Sequence, residues 1–215
     1  INEPKTNEIK VGCQALALLA FTRHAVLRKT DKYLKVMNGI ADALISMQKP
    51  DGSFIHVLHS DTFKVKEEFR IIFFDGEAVF GLMRLYAITR DARLLEASER
   101  AFKHFVETDH WQHHDHWLSY AINELTLYQP KREYFEFGIN NFLAILPYIY
   151  HRFTQVPTVM ELTMAADALL ERLKSMPEMA DLLARVPLED FYAAMEERAR
   201  KLLNGYFWEE TAMFF

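Results

Sequence analysis

Apolar positions recur at helical spacing along most of the chain. Over residues 11–27 they fall on nearly every side, which predicts a helix buried on most sides. Tyr33, Leu34, Met37, Ile40, Ala41, Leu44 and Ile45 instead form one stripe. They predict an amphipathic helix, with Thr30 as its N-cap and Lys32, Lys35, Asn38 and Asp42 facing outward. Lys49-Pro50-Asp51-Gly52-Ser53-Phe54 ends that helix in a turn. Residues 54–74 are rich in Phe, Ile and Val. There Phe63 and Val65 alternate with Lys64 and Lys66, as in a half-exposed hairpin arm. Asp75 is the expected cap of a third, mostly apolar helix over residues 77–88. After a turn at Thr89-Arg90-Asp91, an amphipathic helix spans residues 92–106, with Leu94, Leu95, Ala97, Ala101, Phe102 and Phe105 on its apolar face.

The grammar then repeats. Residues 117–128 read as a helix, and Pro130 opens the next, which continues to residue 150. Pro147 falls inside that pattern and should kink or end it. Pro157 opens a helix over residues 158–173, and Pro187 opens one over residues 188–203, closed by Asn204-Gly205. No Ser/Gly-type linker separates these pieces, so residues 1–215 read as a single domain. The class is all-α, with a small β-hairpin excursion near residues 54–74. Buried and amphipathic helices alternating as hairpins suggest two layers, an inner and an outer one.

Two stretches carry a resemblance. Gln48-Lys49-Pro50-Asp51-Gly52-Ser53-Phe54 and the hairpin from Gly76-Glu77-Ala78 through Leu94-Leu95-Glu96-Ala97 resemble the α/α-toroid superfamily. That superfamily includes six-hairpin glycosidases, acylglucosamine epimerase-type sugar epimerases and terpene cyclases. The resemblance spans residues 11–150 and is architectural. It implies a two-layer helical barrel and chemistry on a carbohydrate in a central cavity. A complete toroid has six hairpins and about four are visible here. The expectation is therefore an incomplete ring or an excerpt of a longer chain. The opening at Ile1 and the apolar end Met213-Phe214-Phe215 prompt the same expectation.

Composition narrows the class. The 215 residues carry 25 Lys plus Arg against 30 Asp plus Glu, a net charge of -5, with no basic stripe. A nucleic-acid partner is therefore not expected. The longest apolar run, residues 15–21, is too short for a membrane span. The single cysteine, Cys13, allows no intrachain disulfide, and no signal peptide is visible. A cytoplasmic location is the expectation. Cys13, at the start of an apolar helix, reads as a buried core thiol; the competing reading, a nucleophile, lacks a histidine near it in sequence.

If the inner helices run parallel, their N-termini share one end of the barrel. The connections entering that end are residues 48–75, 107–116 and 151–157, with the tail from Gly205 beside them. The chemically suggestive residues fall there. Glu67, Glu68, Arg70, Asp75 and Glu77 offer paired carboxylates and an arginine clamp for a carboxylate. Solvated strand charges and a helix cap explain the same residues. The segment from His110 to Trp117 holds four of the nine histidines. A metal site would use His110, His114 and Asp115, although no further ligand motif supports it. A sugar site would stack a pyranose on Trp117, with His116, Tyr120 and Glu124 on one helix face. A packed helix start capped by Asp115 is the third reading. Glu124 lies between apolar Ile122 and Leu125, where a carboxylate needs a partner. Tyr206, Phe207 and Trp208 read as rim packing.

These residues point to a carbohydrate-active hydrolase, lyase or epimerase acting on a neutral or acidic sugar. Glu124, Glu68 and Asp75 are the candidate acid/base groups, and His116 and Tyr120 the candidate proton shuttles. Arg70, Trp117, Glu77 and His113 are the candidate substrate contacts. No cofactor and no metal are expected. The alternative is a non-catalytic glycan- or protein-binding module. Its partner would be a second copy or the remainder of a longer chain.

Overall fold

The computed structural model describes residues 5–152 and 157–203. Among them are ten α-helices and a small antiparallel sheet. The helices are α1 (Val11–Arg28), α2 (Leu34–Ser46), α3 (Phe73–Thr89), α4 (Ala92–Glu107), α5 (His116–Thr126), α6 (Arg132–Leu143), α7 (Leu146–His151), α8 (Thr158–Lys174), α9 (Ala180–Ala184) and α10 (Leu188–Leu203). The strands β1 (Glu8–Lys10), β2 (Val57–His59) and β3 (Val65–Glu67) pair in the order β1-β2-β3. Glu8 lies opposite His59, and Val57 lies opposite Glu67.

Four helices form one row: α1 packs on α3, α3 on α5, and α5 on α8. Their partners α2, α4, α6 and α9 form a second layer. The core lies between the layers, where Phe102 meets Phe105, Tyr134 and Phe137 with ring centroids 5.5 to 5.9 Å apart. The row is parallel. An added side-chain carbon on Gly12, in the first turn of α1, would lie 2.4 Å from a carboxylate oxygen of Glu77 in α3. One on Gly76 would lie 2.4 Å from Asp115 at the start of α5. His116 in turn reaches Glu161 in the first turn of α8. All four N-termini therefore share one end.

The proline readings hold. α6 stops at Leu143 and Pro147 sits in the first turn of α7, where its missing N–H leaves no bond unmade. Asp91 caps α4, accepting from the Arg93 N–H at 3.0 Å. Thr30 does not cap α2, which begins only at Leu34; its hydroxyl accepts from the Lys32 N–H in the turn before. Asp75 does not cap α3 either. That helix starts at Phe73, so Asp75 lies inside its first turn, buried against His56. Strand β1 and the short α9 carry too few residues for a pattern to reveal them.

Cys13 is exposed rather than buried. The reason is its place in the row. Among the described residues α1 has a row neighbour on one side only, and Cys13, Leu16, Ala20 and Leu27 face away from it. Cys13 should therefore react with a thiol reagent in the folded protein about as fast as in the unfolded chain. Protection would show that this face is covered. Asn204-Gly205, the tail from Gly205, Tyr206, Phe207, Trp208 and both chain ends lie outside the described residues.

Candidate functional site

The shared N-terminal end of the row gathers an unusual set of buried polar groups. His56 and Asp75 are 1% and 4% exposed and bond to each other, Nε2 to Oδ2, at 3.2 Å. The backbone N–H of Arg70 donates to His56 Nδ1 at 2.8 Å, so Nε2 carries the proton and donates to Asp75. Asp115 caps α5, its Oδ1 accepting from the Trp117 N–H at 2.9 Å. Its Oδ2 rests on Gly76 and has no partner; Asp75 Oδ1, Glu77 Oε2 and His110 Nε2 are likewise buried without one.

Burial sets the protonation states here. It raises the Glu77 carboxyl to about 7. It pushes Asp115 well above the usual carboxylate range, and neighbouring Glu77 and Asp75 push it the same way. It lowers His110 and His116 to about 4. An uncompensated charge is costly away from water, so each group sheds it. At neutral pH both imidazoles are uncharged. The contacts of His116 with Asp115 (3.6 Å) and Glu161 (3.5 Å) are then polar contacts, not full ion pairs.

A second feature runs down the face of the row that the outer layer leaves open. Trp117, Tyr120 and Glu124 follow one another on α5 at i, i+3 and i+7. Phe80 of α3 stacks on Tyr120 at 5.4 Å and lies 6.2 Å from Trp117. Phe73 meets His116 edge-on at 5.3 Å. Further along, Arg84 Nη1 donates to Glu124 Oε1 at 2.7 Å. Phe80, Arg84, Trp117, Tyr120 and Glu124 are all half-buried, so this aromatic and charged strip borders solvent. At its upper end opens a cleft of about 560 Å³, lined in part by Phe73, His113, His114, His116, Tyr148 and Leu162. His114 Nδ1 donates to the Asn141 carbonyl at 2.8 Å. Asn141 Nδ2 in turn donates to the Asp115 carbonyl and to Ser119 Oγ, both at 2.8 Å, tying the histidine segment to α5 and α6.

The expected site residues divide into groups. Glu124, Tyr120, Trp117 and His116 share the open face of α5, as the i, i+4 arithmetic predicts. His113 joins them through the cleft. Asp75 and Glu77 lie below, inside the buried cluster. Glu68 stands apart, exposed beside Lys49 at 3.4 Å. Arg70 is committed elsewhere: it holds Glu8 at 2.8 and 2.9 Å and also grips Glu67. Arg70, and next Lys66, hold the Glu8 carboxyl far below the usual range. Arg70 thus fastens β1 to the β3 end of the sheet. Phe80, Arg84 and Glu161 complete the strip but show no signal in the sequence. Each looks like an ordinary helix position until α3, α5 and α8 lie side by side.

Among the described residues, no three His, Cys, Asp or Glu side chains are placed to hold a metal ion. Nor is any helix among them long and apolar enough to cross a membrane. No protein-family model matches this chain, and neither a curated protein nor a solved structure matches it.

Proposed function

We propose that this chain is a carbohydrate-active domain of α/α-toroid type that seats a sugar along the open face of its helix row. The observation that carries this reading is the continuous strip Phe73, His116, Trp117, Phe80, Tyr120 and Arg84–Glu124. Half-buried aromatic rings present flat apolar faces to the C–H groups of a pyranose. Flanking carboxylates and an arginine bond its hydroxyls. The cleft volume of about 560 Å³ lies within the usual range for small-molecule sites.

Within that reading the roles are concrete. Trp117 and Tyr120 form the platform. Glu124, oriented by Arg84, is the acid/base group. His116, neutral at pH 7, can accept and return a proton. Hydrolysis, elimination and epimerisation all use such a set. The test is an oligosaccharide panel, with neutral and uronate sugars, followed by tryptophan fluorescence and by product analysis. Trp117→Ala should weaken binding of the active sugar by about 1 kcal/mol or more. Glu124→Gln should abolish turnover while leaving the thermal midpoint unchanged. Full activity in Glu124→Gln would remove Glu124 from the mechanism, and no binding across the panel would overturn the sugar reading.

A second reading, a non-catalytic binding module, draws on one observation. Leu16 and Leu27 at the α1 edge and Met164 on α8 are 44%, 61% and 56% exposed, so apolar side chains stand uncovered on both outer helices of the row. In that case sedimentation should show self-association, and Leu16→Glu should abolish it.

A further inference from the structure

Two arginines lie on the elements that pack where α7 meets α10, and neither has a carboxylate partner among the described residues. Arg198 shares a face of α10 with Phe191 and Ala194 and is only 2% exposed. None of its Nε, Nη1 and Nη2 atoms finds an acceptor. This sets it apart from Arg70, Arg84, Arg93, Arg132 and Arg200, each of which holds a carboxylate. Arg152, at the end of α7, lies 4.9 Å over the Tyr148 ring, and its charge bears unfavourably on Arg198. Glu197, the one carboxylate among the described residues that acts on Arg198, is engaged by Arg200 and Lys201.

A guanidinium does not lose its proton in a protein, so burial cannot neutralise it as it neutralises His110 or Glu77. An unpaired buried cation beside a second cation is therefore unfavourable unless an anion joins them. The fork of donors on an arginine matches the planar oxygens of a carboxylate and the tetrahedral oxygens of a phosphate alike.

We propose that the α7–α10 junction is an oxyanion-binding site, in which Arg198 forks onto a carboxylate or phosphate group and Arg152 supplies the second charge. Tyr148 links the site to the cleft, because it lines that cleft and carries Arg152 over its ring at 4.9 Å. A ligand bearing such a group could thus extend from one to the other. The site does not depend on the sugar reading and stands if that reading fails.

The test is calorimetry and thermal shift on the 215-residue chain with inorganic phosphate, with glucuronate, and with glucose as the uncharged control. At least one oxyanion should bind and raise the melting midpoint, while glucose alone should not. Phosphate without glucuronate would identify a tetrahedral anion; the reverse would identify a carboxylate. Arg198→Met should weaken that binding by about ten- to hundredfold, and Arg152→Ala should weaken it less. Without any anion, Arg198→Met should be as stable as the parent or more so, since it removes an unpaired charge. Failure of both oxyanions to bind, or equal binding by Arg198→Met, would overturn the site. So would a large loss of stability in Arg198→Met without anion, because Arg198 would then already have its partner within the chain.

Discussion

Gly52→Ala should destabilise the fold by about 3–5 kcal/mol, a large share of a typical domain's stability. Two effects add. Gly52 has φ +97°, a region where a side-chain carbon is strained wherever it stands. The added carbon would also lie 2.2 Å from the backbone carbonyl oxygen of Arg100, which cannot swing aside as a side chain would. The turn is braced from the other side as well. Gln48 Nε2 donates to the Gly52 carbonyl at 3.0 Å and to the Ala97 carbonyl of α4 at 2.9 Å, and Arg100 donates to Gln48 Oε1. Relief by shifting the turn would break those bonds. Gly39→Ala is the matched control. Gly39 lies inside α2 with nothing within 4 Å of an added carbon, so alanine there should stabilise by about 0.5–1 kcal/mol. Urea unfolding of both variants checks the pair. Equal midpoints would mean that the Gly52 turn moves freely.

That turn also shows how far the sequence could be read. Asp51, Gly52 and Ser53 are legible as a stop signal because each has a local task. Asp51 Oδ1 accepts from the Ser53 N–H at 3.0 Å, and Gly52 takes the positive φ. The alternation is legible in the pairs α1–α2 and α3–α4, because burial on most sides leaves a different pattern from burial on one side; α5 and α6 are both one-sided and do not follow it. What stayed hidden depends on neighbours rather than on pattern. The apolar helix makes Cys13 read as buried, but that takes a second neighbour in the row, and among the described residues α1 has only α3 there. Arg70 looked like a ligand clamp because a lone arginine among carboxylates does. One of its two carboxylate partners, Glu8, sits 62 positions away and reaches it only through the pairing of β1 with β2. Trp117, Tyr120 and Glu124 can be grouped from the sequence because all three lie on one helix. Glu161 carries no such signal because its link to His116 crosses from α8 to α5.

Glu77→Gln should raise stability by about 3 kcal/mol at pH 8 and change it by less than about 1 kcal/mol at pH 4. The folded carboxyl sits near 7 and the unfolded one near 4.5. Below 4.5 both states hold the proton and the residue is neutral in its effect. Between 4.5 and 7 the unfolded chain releases its proton while the folded protein keeps it, so folding weakens as pH rises. Above 7 the full penalty applies, and glutamine removes it. Asp115 acts in the same direction. His110 and His116 act in the opposite one. Their folded values near 4 lie below the unfolded 6.5, so the stability they permit is complete above 6.5 and lost as pH falls toward 4. Across pH 4.5 to 6.5 the buried acids and the buried imidazoles therefore oppose each other, and the parent protein should show a shallow profile. Removing Glu77 unbalances them, so the variant's stability should climb more steeply from pH 4 to pH 7. Urea unfolding at pH 4, 6 and 8 reads all three regimes. An equal gain at pH 4 and pH 8 would trace the effect to packing against Gly12 rather than to the proton. A loss at pH 8 would mean that Glu77 is ionised in the folded state and needed there as an anion.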